Sequence, residues 1–167
     1  KLETSLPEFN TKITSLAFSP DGQLLAVGDR NIHLWHVNSK QFITTLFGDD
    51  YATAEIVFRP DGRQIAATGV TRPVQIFDVA THRKVMDIDT IRSNIIAYSP
   101  DGKLLATASW EAVKIWDSTT WQLKQKVDVD AGNTLDLVFS LDGTQLFLAS
   151  QSGVYTWDLT SGQLRKR

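Results

Sequence analysis

Short runs of consecutive apolar residues recur along the chain, and a turn sequence follows the first run of each pair. The runs before the turn are Leu16-Ala17-Phe18, Ile56-Val57-Phe58, Ile96-Ala97-Tyr98 and Leu137-Val138-Phe139. The runs after it are 24–27, 65–67, 104–107 and 146–149. Unbroken apolar residues over so short a length are typical of strands buried on both faces. The pattern therefore predicts two buried strands in each copy, joined by the turn.

The turn sequence is Ser19-Pro20-Asp21-Gly22 in the first copy, and only the fourth copy replaces the proline, with Leu141. Proline pre-sets φ at the second position of a type I turn, and glycine accepts positive φ at the fourth. The turn aspartates occur once per copy, which predicts hydrogen bonds to nearby backbone groups and not a shared metal site. They are Asp21, Asp61, Asp101 and Asp142.

The apolar positions that follow indicate two more strands in each copy. Ile32 and Leu34 alternate with polar or aromatic positions, as in a half-buried strand, and the next segment is polar with sparse apolar residues, as at a solvent-facing sheet edge. Strands are predicted near 13–19, 23–28, 31–36 and 40–46, and at the corresponding positions of the later copies. No segment sustains a 3.6-residue period, so essentially no helix is expected.

Two sequence markers, the turn glycine and an aromatic residue after it, repeat with the same period. The turn glycines at positions 22, 62, 102 and 143 are 40, 40 and 41 residues apart. Each is followed after 13 to 15 residues by Trp35-His36, Phe77-Asp78, Trp116-Asp117 or Trp157-Asp158. This combination resembles the WD-repeat family, whose propellers stack four-stranded blades around a central channel. The resemblance implies an all-β β-propeller with four four-stranded antiparallel blades, and an incomplete ring because the family's rings have about seven blades.

The chain also departs from the family pattern. Many members carry a Gly-His pair before the innermost strand and an Asp between the second and third strands, which form a hydrogen-bonded tetrad with a Ser or Thr and the Trp. No histidine of this chain precedes an innermost strand. The second copy has Phe77 for the Trp, and the first has His36 for the Asp of the Trp-Asp pair. The tetrad is therefore predicted to be incomplete in every blade.

The whole chain, 1–167, is predicted to be a partial propeller, and the repeat divides it into five segments. The predicted divisions are 1–7 (outer strand of a preceding blade), 8–47 (repeat 1), 48–88 (repeat 2), 89–129 (repeat 3) and 130–167 (repeat 4). Leu2 precedes Phe18 by 16 residues, as Phe42 precedes Phe58. Five outer strands against four of every other kind predict that the chain belongs to a longer protein.

An incomplete ring leaves its two terminal blades without a neighbour. Each is expected to show water an apolar face, with exposed residues among Leu16, Phe18, Leu25, Leu137, Phe139 and Leu146. The predicted contacts of these faces are further blades of the parent chain or a second copy of this chain.

The amino-acid composition limits the classes of binding partner to be expected. The net charge of −2 gives no electrostatic reason to expect nucleic acid or an anionic membrane. No apolar run approaches the length of a membrane span. The chain has no cysteine, which excludes disulfides and thiolate chemistry and fits a cytoplasmic location.

The sequence offers little for catalysis. His33 and His36 point to opposite faces of a strand, and His82 stands alone in a turn. We expect no histidine to lie within bonding distance of both a carboxylate and a nucleophile, and hence no catalytic residue, metal or cofactor. The periodic tryptophans are core anchors, whereas Trp110 and Trp121 fall in connections, and Trp110 is a candidate binding residue.

In the family's geometry one rim collects the loops before the innermost strands and those between strands two and three. The candidate protein-binding residues on that rim are Arg30, Tyr51, Arg72, Arg92, Trp110 and Glu111. Arginine and aromatic side chains on one face suit recognition of a protein or peptide. The predicted function is a protein-interaction scaffold and not an enzyme. Two alternatives stay open: a regulatory or sensor domain of a bacterial kinase, protease or ATPase, and a propeller enzyme with an active site at the channel mouth.

Overall fold

A computed structural model describes residues 11–46, 53–69, 73–88, 93–109, 111–129 and 134–167 of the chain. These residues form sixteen β-strands and no helix. The predicted outer strand of a preceding blade, 1–7, lies outside the described residues. The strands associate into four separate four-stranded sheets, each an antiparallel meander in chain order. We call them blades 1 to 4, and within each blade the first strand is the inner strand and the fourth the outer strand.

The strand bounds repeat with the predicted period. Blade 1 contains β1 (Ser15–Phe18), β2 (Leu24–Gly28), β3 (Ile32–His36) and β4 (Phe42–Leu46). Blade 2 contains β5 (Thr53–Phe58), β6 (Gln64–Gly69), β7 (Val74–Asp78) and β8 (Arg83–Ile88). Blade 3 contains β9 (Ile95–Tyr98), β10 (Leu104–Ala108), β11 (Ala112–Asp117) and β12 (Leu123–Asp128). Blade 4 contains β13 (Thr134–Phe139), β14 (Gln145–Ser150), β15 (Gly153–Asp158) and β16 (Leu164–Lys166). The predicted strands and the absence of helix are confirmed for the described residues.

The turn between the first two strands of each blade has the predicted chemistry. All four turn glycines adopt a φ between +69° and +73°, a region in which any residue with a Cβ is strained. In blade 1 the Asp21 carboxylate accepts hydrogen bonds from the Gln23 N–H at 3.0 Å and from the Ser19 hydroxyl at 2.6 Å. The aspartate of every other blade accepts the corresponding N–H at the same distance. The structural interpretation of the turn aspartates is therefore confirmed.

The blades pack face to face, and the pattern of burial fixes a direction around the arc. Ile56 and Phe58 of blade 2 belong to a core shared with Leu34 of blade 1, whereas Val57 packs into the core shared with blade 3. We call the side that carries Phe58, and its equivalent in each blade, the rear face. The opposite side, which carries Leu34 and its equivalents, is the forward face. Each interface thus joins a forward face to the rear face of the next blade.

The expectation about exposed terminal faces is correct for blade 1 and wrong for blade 4. Leu16 and Phe18, on the rear face of blade 1, are each 61% exposed, while Leu25 is half-buried. Leu137, Phe139 and Leu146 are buried, because in blade 4 these positions form the rear face that packs on blade 3. The exposed face of blade 4 is its forward face. The described residues therefore form an open arc.

The expected gaps in the tetrad are visible among the tryptophans. In blade 3 the Trp116 indole Nε1 donates to the Thr107 hydroxyl at 3.0 Å. The position equivalent to Thr107 is Leu148 in blade 4, which offers no acceptor. The Trp157 Nε1 is buried without a hydrogen-bond partner among the described residues. Trp121 adopts a positive φ of 58° in the β11–β12 turn and packs against the core between blades 2 and 3.

Candidate interaction surface

The β2–β3 turn and its equivalents lie at one end of the blades, which we call the upper rim, and the Pro-Asp-Gly turns lie at the other end, the lower rim. Arg30 is exposed in the β2–β3 turn of blade 1, and Glu111 is exposed in the β10–β11 turn of blade 3. The other four candidates lie outside the described residues: Tyr51, Arg72, Arg92 and Trp110. The structure thus describes two candidates on the upper rim, on blades that are not neighbours.

A buried carboxylate holds the turn that carries Arg30. Asp29 is only 8% exposed, and its Oδ1 accepts a hydrogen bond from the Asn31 N–H at 2.7 Å. The Thr11 hydroxyl donates to the other carboxylate oxygen, and His33 Nε2 lies 3.1 Å from Oδ1. His33 Nδ1 lies 3.0 Å from the hydroxyl of Thr45 on β4. We call Thr11, Asp29, His33 and Thr45 the upper-rim network; it joins four segments of blade 1.

The upper-rim network corrects the prediction that no histidine would lie near both a carboxylate and a nucleophile. His33 bridges Asp29 and Thr45 because its strand places it opposite Thr45, in the β3–β4 register. Sequence reasoning also missed Asp29 itself, although it occupies the position of the WD-repeat family's aspartate between the second and third strands. His33 on β3 supplies the imidazole that the family places before the innermost strand. In blade 1, therefore, an imidazole from a different strand, β3, bonds the aspartate of the tetrad.

The same network sets the charge of Asp29. Burial raises the pKa of this carboxyl, but the hydrogen bonds from the Asn31 N–H and the Thr11 hydroxyl, together with nearby His33, outweigh burial and lower its pKa below the ordinary value of 3.8. The carboxylate is consequently ionised at neutral pH. A lowered pKa in the folded state means that the contribution to stability is present above the ordinary pKa and is lost as the pH falls through the folded-state value.

Hydrogen bonds also join the inner strands of neighbouring blades. The Thr53 N–H of blade 2 donates to the Asp29 carbonyl at 2.7 Å, and the Ile56 N–H donates to the Ser15 hydroxyl at 3.0 Å. At the position equivalent to Ser15, Glu55 of blade 2 accepts the Ile96 N–H of blade 3 at 2.7 Å. Burial raises the pKa of Glu55. The same strand position thus connects successive blades by a side-chain acceptor.

A groove opens at the upper rim between blades 1 and 2. It is small, with a cavity volume of about 10 Å³, which is about the space of one water molecule. Its walls include Asn31, which directly follows Arg30, and the polar side chains of Thr53 and Gln75, both of which are buried. Arg30 therefore directly precedes a residue that lines this small groove, and the turn that carries it is fixed by a buried carboxylate. Such an arrangement suits a peptide or a protein loop, which offers both charge and hydrogen-bonding groups.

Replacing Asp29 with alanine is expected to lower the free energy of unfolding by about 2 kcal/mol, because the Asn31 N–H, Thr11 and His33 lose a buried partner. Urea denaturation at neutral pH measures the loss. The matched control is Asp128→Ala, at a carboxylate whose side chain is 78% exposed, where no comparable loss is expected. Because the pKa of Asp29 is lowered, the difference between Asp29→Ala and the unsubstituted chain should shrink as the pH falls below 3.8. Equal losses at the two positions would contradict this account of the network.

Comparison with known proteins agrees with this geometry. Residues 1–36 match the family model of the WD domain, G-beta repeat, and residues 26–158 match a model described as Eukaryotic translation initiation factor eIF2A. The chain is 32% identical over 142 residues to Protein HIR1 of Candida albicans, which covers 65% of this chain and 16% of that protein. It is 27% identical over 99 residues to WD repeat-containing protein VIP3 of Arabidopsis thaliana, which covers 57% of this chain and 31% of that protein. The chain thus spans less than a third of either relative.

Among solved structures, the chain resembles Kuenenia stuttgartiensis Hydrazine Synthase with a TM-score of 0.83 and 16% sequence identity. The match covers 100% of this chain and 53% of that chain, and at this identity it shows the fold alone. Together, the repeat pattern, the four blades and the family models show that the chain belongs to the WD-repeat β-propeller family.

No group of three or more His, Asp or Glu side chains in the described ranges is placed to hold a metal ion. No helix that could span a bilayer is formed by the part of the chain that the structure describes.

Proposed function

We propose that this chain is a non-catalytic protein-interaction scaffold, and that its upper rim binds a protein or peptide partner. Arg30 and Glu111 are the described residues of the proposed surface, and Tyr51, Arg72, Arg92 and Trp110 complete it. Membership of the WD-repeat family supports the scaffold role. The net charge of −2 favours a protein partner over nucleic acid or an anionic membrane.

One observation carries the proposal: Arg30 is exposed on the upper rim, while the turn that carries it is fixed by the buried Asp29. An arginine on a rigid turn loses little conformational entropy when it binds, which is the property of an interface hot spot. In this proposal His33 has a structural role, because by bridging Asp29 and Thr45 it ties the turn that carries Arg30 to the outer strand of blade 1.

Site-specific photo-cross-linking tests the proposal. A photoreactive amino acid is placed at position 30 or 111 of the full-length protein in its own cells, and cross-linked proteins are identified by mass spectrometry. The matched control is position 63, because Arg63 is an exposed arginine in the turn of the lower rim. We expect the same discrete protein adducts at 30 and 111, and Arg30→Glu should weaken the adduct formed at 111. Identical patterns at the upper-rim positions and at position 63 would refute the assignment of the upper rim.

A further inference from the structure

The forward face of blade 4 is built differently from the forward faces of the other blades. On the third strand, Leu34, Ile76 and Ile115 are buried against the next blade, and blade 4 has Thr156 at the equivalent position. On the fourth strand, the residue that pairs with Ile32, Val74 or Val113 is apolar in the first three blades. These residues are Leu46, Ile88 and Val127.

In blade 4 the corresponding residue on the fourth strand is Arg167. Its N–H donates to the carbonyl of Val154, the equivalent of Ile32, at 2.8 Å. The Arg167 Nε donates to the hydroxyl of Thr156 at 3.1 Å. The two departures from the repeat pattern are therefore bonded to each other, and together they replace an apolar contact by a cationic one. A face of this kind does not fit an ordinary apolar rear face, because burying an unpaired guanidinium is costly.

A second arginine lies beside the first. Arg165 is also exposed, two residues earlier in the chain, and its Nη2 donates to the Gln163 side chain at 2.8 Å. Both arginines line an open groove of about 100 Å³, together with Thr156, Asp158 and neighbouring polar side chains. Residues two apart on a strand point to the same side, about 7 Å apart. The backbone therefore anchors the two arginines of the groove at the spacing of alternate residues in an extended peptide.

The positive charges of the groove are only partly balanced within the described part of the chain. Neither arginine forms an ion pair with a described carboxylate. The Asp158 carboxylate is instead held by its own turn, where it accepts the N–H groups of Ser161 at 2.8 Å and Thr160 at 3.0 Å. These turn contacts, chiefly with Ser161, lower the pKa of Asp158. The nearby charge of Arg165 also lowers this pKa, and the groove, with two arginines and one carboxylate, keeps a net positive charge that favours an external anion.

We infer that the forward face of blade 4 is a second binding site, whose ligand is an extended acidic peptide segment with carboxylates at alternate positions. Guanidinium forks pair with carboxylates in a bidentate geometry, and the alternate spacing matches Arg165 and Arg167. No described strand pairs with the outer edge of β16, so an extended segment can also pair there. This site is separate from the upper rim, and its ligand class does not depend on the function proposed for the rim.

Fluorescence anisotropy with a labelled peptide of alternating Glu and Thr tests this site on the intact chain. We expect saturable binding that weakens as salt is added, and no binding of the matched Gln-Thr peptide. Arg165→Gln with Arg167→Gln should weaken binding by about tenfold or more, since two charge-assisted contacts are lost. The matched control is Arg83→Gln, on the outer strand of blade 2, which should bind as the unsubstituted chain does.

A repeat-restoring variant separates binding from folding. Thr156→Ile with Arg167→Leu gives blade 4 the apolar residues of the other blades, so the variant should fold, as judged by circular dichroism, and still lose the acidic peptide. Arg30→Glu on the upper rim should leave peptide binding unchanged, which distinguishes this site from the proposed rim surface. Equal affinity for the Glu and Gln peptides, or full binding by the double glutamine variant, would overturn the inference.

Discussion

Phe58→Ala is expected to lower the free energy of unfolding by about 3 to 5 kcal/mol, whereas Phe18→Ala should cost less than about 1 kcal/mol. The two phenylalanines occupy the same position in successive repeats, three residues after Ser15 and Glu55. Phe58 is 9% exposed in the core between blades 1 and 2, and Phe18 is 61% exposed on the rear face of blade 1. Removing a buried ring leaves a cavity, and removing an exposed one does not.

Urea denaturation of the two variants, at a protein concentration low enough that light scattering shows single chains, measures this difference in one background, so the repeat provides its own control. Ile56→Ala and Leu16→Ala form a second matched pair, with the same expected order, because Ile56 is buried and Leu16 is 61% exposed. Equal losses at Phe18 and Phe58 would mean that the rear face of blade 1 is covered in solution. Such a result would contradict the open arc.

The strands and turns could be predicted because they depend on local pattern. The apolar triplets, the Pro-Asp-Gly turn and the aromatic marker each specify a conformation over a few residues, and their common period of about forty residues specifies the blade. The described strands begin and end within two residues of the positions predicted for the first repeat. The direction of packing could not be predicted in the same way. Alternation shows which residues share a face, but Leu137 and Val138 are both apolar, and only the stacked structure shows that Leu137 meets blade 3.

The upper-rim network shows why functional residues are harder to predict than strands. Asp29, His33 and Thr45 come together through the β3–β4 register and the β2–β3 turn, and no short motif records that meeting. The signal that was present is Asp29, at the position of the family's tetrad aspartate. The groove on blade 4 also had a signal. Aligning the repeats identifies Thr156 as a polar residue in an otherwise apolar column. The equivalence of Arg167 to Leu46 follows only from the strand register, because the outer strand of blade 1 contains a register shift that blade 4 lacks.

We also expect the chain to associate with a second copy of itself, and this is the second prediction with a large expected effect. Leu16 and Phe18, with Ile13 at 43% exposure, form an apolar surface on the rear face of blade 1. Removing such surface from water is favourable by about 25 cal/mol per Å². The forward face of blade 4 carries Arg167 at the point where a head-to-tail partner would meet it, so a closed ring of two copies is disfavoured. We therefore expect a two-fold dimer in which the rear faces of two blades 1 pack against each other.

Two substitutions distinguish the modes of association. Leu16→Lys with Phe18→Glu places charges on the rear face of blade 1 and should give a monomer. Val138→Glu, on the forward face of blade 4 where Val138 is 57% exposed, should leave the two-fold dimer intact but would break a head-to-tail ring. Circular dichroism shows whether each variant keeps its strands.

Size-exclusion chromatography coupled to light scattering, at high micromolar concentration, tests the central claim that four WD-repeat blades form an open arc with an apolar rear face. The predicted result is twice the chain mass of 18.6 kDa for the unsubstituted chain and for Val138→Glu, and a single chain mass for Leu16→Lys with Phe18→Glu. An unsubstituted chain that stays monomeric at this concentration, unfolds cooperatively and binds no dye specific for apolar surface would contradict the open arc and would mean that the four blades close on themselves.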